Sequence, residues 1–121
     1  MDGVKRMLMN CYIAEGQKME AIQVGRAIIA DNPRDPDVNR NLAVLYDELG
    51  MGNEALDQCR QNLNFGVFPS LSYGVMARTF EKMGKFEEAK EAYEKSLQLE
   101  PENPVTRSLV NKFRADHPQL Y

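Results

Sequence analysis

Tryptophan is absent from this 121-residue chain, and histidine occurs once, as His117. Cysteine occurs twice, as Cys11 and Cys59, far apart and without a Cys-x-x-Cys spacing. A zinc site takes about four thiol or imidazole ligands, so no metal centre is expected. Both thiols read as small buried hydrophobes, and unpaired thiols favour a reducing, cytoplasmic location. No run of about eighteen apolar residues occurs, so no membrane-spanning helix is expected. The start, Met1-Asp2-Gly3-Val4-Lys5-Arg6, lacks the apolar core and cleavage site of a signal peptide. A formal charge of −3 provides no bulk attraction for nucleic acid or an anionic membrane.

Catalytic groupings are missing as well. Enzyme chemistry needs a nucleophile with its base, a metal cluster or paired acids in one site. His117 stands beside Pro118 near the end of the chain, where an exposed, frayed residue is expected. Gly50-Met51-Gly52 reads as a hairpin turn and not as a phosphate loop. Asp47, Glu48 and Glu81 have no histidine or cysteine beside them. No catalytic residue, metal ligand or cofactor is assigned, and the chain is read as a non-enzyme.

What is present is a period. Shifted by 34 residues, the sequence places Gly16, Gly50 and Gly84 in one column. Ala21, Ala55 and Ala89 form a second column. Leu8, Leu42 and Met76 form a third, and Tyr12, Tyr46 and Phe80 a fourth. The register needs no insertion and gives units 2–35, 36–69 and 70–103, with 104–121 left over. Each glycine ends a helix, where a left-handed backbone is cheap without a Cβ. Each alanine allows two helices to cross closely. The leucine and the aromatic, four residues apart, share one helix face. Pro33 and Pro101 stop the second helix of their units. Seven helices are predicted, near 3–15, 19–31, 37–49, 53–65, 71–83, 87–99 and 104–116. Asp35-Pro36 and Asn103-Pro104 each place a capping side chain before a first-turn proline.

This pattern resembles the tetratricopeptide repeat. The third unit carries it best, as Tyr73, Met76, Ala77, Phe80, Gly84, Phe86, Ala89, Tyr93, Ser96 and Pro101. The first two units depart from it. Lys5 and Asn39 stand where a large residue is usual, and Met9 stands for a small one. Gly25 and Cys59 replace an aromatic, and Val67 replaces the proline within Phe65-Gly66-Val67-Phe68-Pro69. That apolar junction is expected to pack between repeats or, failing that, to join a binding surface. The resemblance implies an all-α superhelix (a solenoid) of three helical hairpins plus a solvating C-terminal helix. In that last helix Val105, Leu109, Val110 and Phe113 form the apolar stripe.

The resemblance also implies where a partner docks. In this family the first helix of each hairpin lines a concave groove. The corresponding positions place Arg6, Asn10, Arg40, Asn41, Val44, Leu71, Val75 and Arg78 there as candidate partner-binding residues. Asp47, Lys82 and Lys112 fall at groove positions too. Arginine forks grip carboxylates, and asparagine pairs with peptide backbone. The implied function is a scaffold binding a protein or an extended peptide, one with acidic or C-terminal carboxylate groups. Arg6, Asn10 and Asn41 match the first positions of the carboxylate clamp found in chaperone-binding members. The clamp's two basic positions in the third repeat fall on Leu71 and Val75, leaving Arg78 one turn further on.

The first helix is apolar nearly all round, through Val4, Met7, Leu8, Met9, Cys11, Tyr12 and Ile13. A helix of this kind expects burial on both sides. Two readings fit it. The chain is the closing part of a longer array, or the helix is covered by self-association into a homo-oligomer.

Overall fold

Residues 2–121 are described by a computed structural model, with side chains from Gly3 onward. They form seven α-helices: α1 (Asp2–Ala14), α2 (Lys18–Asp31), α3 (Pro36–Glu48), α4 (Gly52–Phe65), α5 (Pro69–Lys82), α6 (Phe86–Leu99) and α7 (Pro104–Asp116). A 3-10 turn follows at Pro118–Leu120. Helices α1–α2, α3–α4 and α5–α6 pair as hairpins, and each next hairpin packs on the one before it. The architecture is an all-α solenoid.

The periodic glycines set the hairpin turns. Gly16, Gly50 and Gly84 have φ of +76°, +73° and +78°. In each turn the following residue donates its N–H back to the aromatic's carbonyl. Gln17 reaches Tyr12 at 2.8 Å, Met51 reaches Tyr46 at 2.9 Å and Lys85 reaches Phe80 at 2.8 Å. This bond ties up a carbonyl that the helix end leaves unpaired. The alanine column is fully buried at Ala21, Ala55 and Ala89. Caps form as the sequence predicts. The Asp35 carboxylate accepts from Val38 N–H at 3.1 Å, and the Asn103 side chain accepts from Val105 and Thr106. Helix α5 starts two residues earlier than predicted, because Pro69 serves as its first-turn residue.

The departures from the repeat pattern compensate one another. A Cβ on Gly25 would stand 2.9 Å from Met9 Cε and 2.9 Å from Leu42 Cδ2. The large Met9 therefore fills the space that the missing aromatic leaves. In the second hairpin, buried Asn39 replaces an apolar residue but is fully bonded. Its amide nitrogen donates to the Pro33 and Asp35 carbonyls, both at 2.9 Å. Gln58 donates to the Asn39 and Asn62 side-chain oxygens, and Asn62 donates to the Asn39 carbonyl. At the next junction Val67 is buried as a plug, while Phe68 stays exposed with φ +41°.

Four expectations need correction. Val105 lies outside the apolar stripe of α7, whose buried residues are Thr106, Val110 and Phe113. His117 is not a frayed residue. Its ring stacks 4.3 Å from Phe86 and 4.7 Å from Phe113, and Tyr121 beyond it lies near Lys90 and Arg114. Cys11 is exposed and not buried, on a helix α1 that buries only its Met9 side. Val4, Met7, Leu8 and Ile13 remain exposed, because no described helix lies over α1 as α2 lies over α3.

Candidate functional site

The first helices of the hairpins lie side by side, and α3 touches α5 directly. Their shared inner face holds the predicted groove residues in two groups. Between α1 and α3 is a cavity of about 290 Å³ lined by Arg6, Met9, Asn10, Asp37, Val38, Arg40 and Asn41. Asn10 is exposed and Asn41 half-buried. Neither amide makes a side-chain hydrogen bond among the described residues. Arg40 lies 3.7 Å from the exposed carboxylate of Asp37, and its guanidinium stands 5.0 Å from the Phe68 ring centre. That stacking holds the fork at the groove rim without consuming its N–H donors.

The other two arginines are held by buried carboxylates. Arg6 pairs with Asp35, which also caps α3. Arg78 lies 3.6 Å from Asp47. Asp47 is 2% exposed, so it does not line the groove as its repeat position implies. Its carboxylate also accepts from Thr79 at 3.0 Å and from Lys82 at 3.1 Å. Sequence reasoning took Asp35 only as a cap and missed it as the partner of Arg6. No local signal marks such a pair, since Arg6 lies on α1 and Asp35 caps α3, far along the chain.

The second group lies between α5, α6 and α7. Leu71, Gly74, Val75, Arg78 and Leu109 contribute to a cavity of about 270 Å³. Leu71 is 40% exposed, but Val75 is 4% exposed. Val75 packs with Ala43 and Cys59, and half-buried Val44 covers that cluster. Val75 and Val44 are thus chiefly inter-repeat packing residues, and Leu71 is the apolar side chain the groove presents. Burial, helped by the charge of Asp47 and opposed by Arg60, pushes the Cys59 thiol up to about 12. Burial first, then its bond to Glu81, raises the Tyr93 hydroxyl above its ordinary value. Both groups stay protonated near neutral pH, which suits a structural role.

The tetratricopeptide-repeat family model matches residues 70–103. The first repeat domain of Spaghetti (RPAP3), solved bound to the HSP90 peptide SRMEEVD, is 26% identical with a TM-score of 0.82. That match covers 93% of this chain and 90% of that one. The human RPAP3 first domain, solved by NMR, is also 26% identical, with a TM-score of 0.83 over 100% of this chain and 98% of that one. The chain is a tetratricopeptide-repeat domain. A curated relative, small glutamine-rich tetratricopeptide repeat-containing protein 2 of Mycosarcoma maydis, is 30% identical over 101 residues. That match covers 78% of this chain and 29% of the relative, so the chain spans under a third of that protein. Stacked tetratricopeptide hairpins present an extended concave surface, the architecture of an interaction scaffold.

Proposed function

We propose that this tetratricopeptide-repeat domain is a non-catalytic scaffold that holds an extended peptide, ending in an acidic residue, in its groove. The observation that carries this reading is the cavity between α1 and α3. Two unengaged amides, Asn10 and Asn41, and the stacked fork of Arg40 line it together. Amides of this kind satisfy peptide backbone or a terminal carboxylate, and the arginine adds charge. The peptide bound by the Spaghetti domain supports the same ligand chemistry. The anchor differs from the usual clamp, because Leu71 and Val75 occupy its basic positions in the third repeat. Arg40 supplies the cation instead, and exposed Phe68 and Leu71 offer contact to an apolar side chain of the ligand.

Fluorescence anisotropy with labelled SRMEEVD and its C-terminal amide tests this. The free acid binds more tightly than the amide. Asn41→Ala or Arg40→Ala weakens the acid by about tenfold or more, the scale of one lost hydrogen bond to a charged group. Equal affinity for acid and amide, or no binding of either, rejects the reading.

A further inference from the structure

The groove has a second charged region that the α1–α3 cavity does not use. A cavity of about 670 Å³ opens between α5 and α7, lined by Arg78, Glu81, Lys82, Tyr93, Leu109, Lys112 and Phe113. Arg78 and Lys82 are four residues apart on α5 and share one face. Lys112 reaches the same space from α7. It forms no ion pair among the described residues.

Two carboxylates stand nearby, and both are engaged. Glu81 accepts from the Tyr93 hydroxyl at 2.8 Å and lies 3.9 Å from His117. Asp47 accepts from Thr79 and sits between Arg78 and Lys82. Three cations therefore meet two carboxylates, leaving an excess positive charge. Arg78 and Lys82 remain 45% and 50% exposed, so their outer donors still face the groove. Asp47 acts as a positioning residue that fixes the two side chains next to each other. Leu109 and Phe113 make the adjoining wall apolar, which strengthens charge pairing there.

We propose that Arg78, Lys82 and Lys112 form a second subsite that takes acidic side chains of the bound peptide, upstream of its C-terminus. This rests on the peptide-groove reading above. Neighbouring helix axes lie about 8–10 Å apart, so the two cavities are roughly 20 Å apart. An extended chain covers about 3.3 Å per residue, which places the preferred acids about six residues before the terminus.

The probes are two labelled dodecapeptides ending in EEVD, with Glu-Glu or Gln-Gln at the sixth and seventh positions from the C-terminus. Each is made as acid and as amide. The Glu-Glu peptide binds about fivefold more tightly at low salt, and the margin shrinks as salt rises. Arg78→Gln with Lys112→Gln brings the Glu-to-Gln ratio to about one and leaves the acid-to-amide ratio intact. Asn41→Ala does the reverse. Lys112→Gln alone, at an exposed position, lowers the ratio even where the double variant loses stability. An unchanged ratio in Lys112→Gln, or equal binding of the two peptides by the unaltered domain, overturns the subsite alone. Equal binding of acid and amide, or no binding at all, overturns the groove reading and the subsite with it.

Discussion

Met9 and Gly25 exchange volume across the first hairpin. Each is a departure from the repeat pattern, and each makes sense through the other. Met9 is almost fully buried, and its Cε lies where a side chain on Gly25 would begin. Met9→Ala should cost about 2–5 kcal/mol through lost contacts and a cavity. Gly25→Phe should cost at least about 1–3 kcal/mol through overpacking, even though phenylalanine is a better helix former than glycine. Together they restore the small-then-aromatic order of the third repeat. Urea unfolding of the four proteins checks this. The double variant should be more stable than the sum of the two losses predicts, with a coupling of about 0.5–3 kcal/mol. Strict additivity would mean that the two residues do not share this space. The sequence marks both positions as exceptions. It cannot join them, because they are on different helices and their contact depends on the crossing.

Among the elements, α3 has the most tasks. Its inner face carries Arg40 and Asn41, and its face toward α4 carries the polar network around Asn39. Buried amides are tolerable only when fully bonded, and here each member serves another. Asn39→Ala removes an acceptor for Gln58 and two donor bonds, leaving the Gln58 amide short of a partner. About 2–3 kcal/mol of stability should be lost, from the desolvation of unpaired polar groups. Thermal melts followed by circular dichroism measure it, and a loss below about 0.5 kcal/mol would show that the network relaxes at little cost. Helix positions were legible from capping residues, glycines and the 3.6-residue periodicity, because these act within one or two turns. The network was not legible. Asn39 alone looks like a lapse in the apolar pattern, and only α4 packed against α3 turns it into a bonded site.

At the level of the whole molecule, a polar-backed helix covers one end of the three described hairpins. Helix α7 buries Val110 and Phe113 against the last hairpin and leaves Arg107 and Arg114 exposed. End repeats need a polar cover of this kind. Residues 1–103 alone should therefore melt at lower temperature and associate, since they expose the face that Phe113 covers. The lost burial is worth about 5 kcal/mol, from about 1.5–3 kcal/mol for each large apolar side chain. That rivals the total stability of a small domain. Unfolding curves and light scattering on the shortened chain check this, and an unchanged, monodisperse protein would contradict it. At the other end, the exposed apolar residues of α1 present no such cover.

The amino-acid sequence by itself determined the period of 34 residues, the seven helices and the caps of α3 and α7. These follow from turn chemistry and side-chain spacing along one helix, which act over a few residues. Tertiary structure alone decided how each groove arginine is held. Arg6, Arg40 and Arg78 look alike in the sequence, yet buried Asp35 and Asp47 hold the outer two, while Arg40 rests on Phe68. Val75 belongs to the packing between repeats, and His117 sits between two aromatic rings. The physical reason is common to all five. A side chain's electrostatic and apolar partners come from neighbouring hairpins, and their approach is set by how whole helices stack.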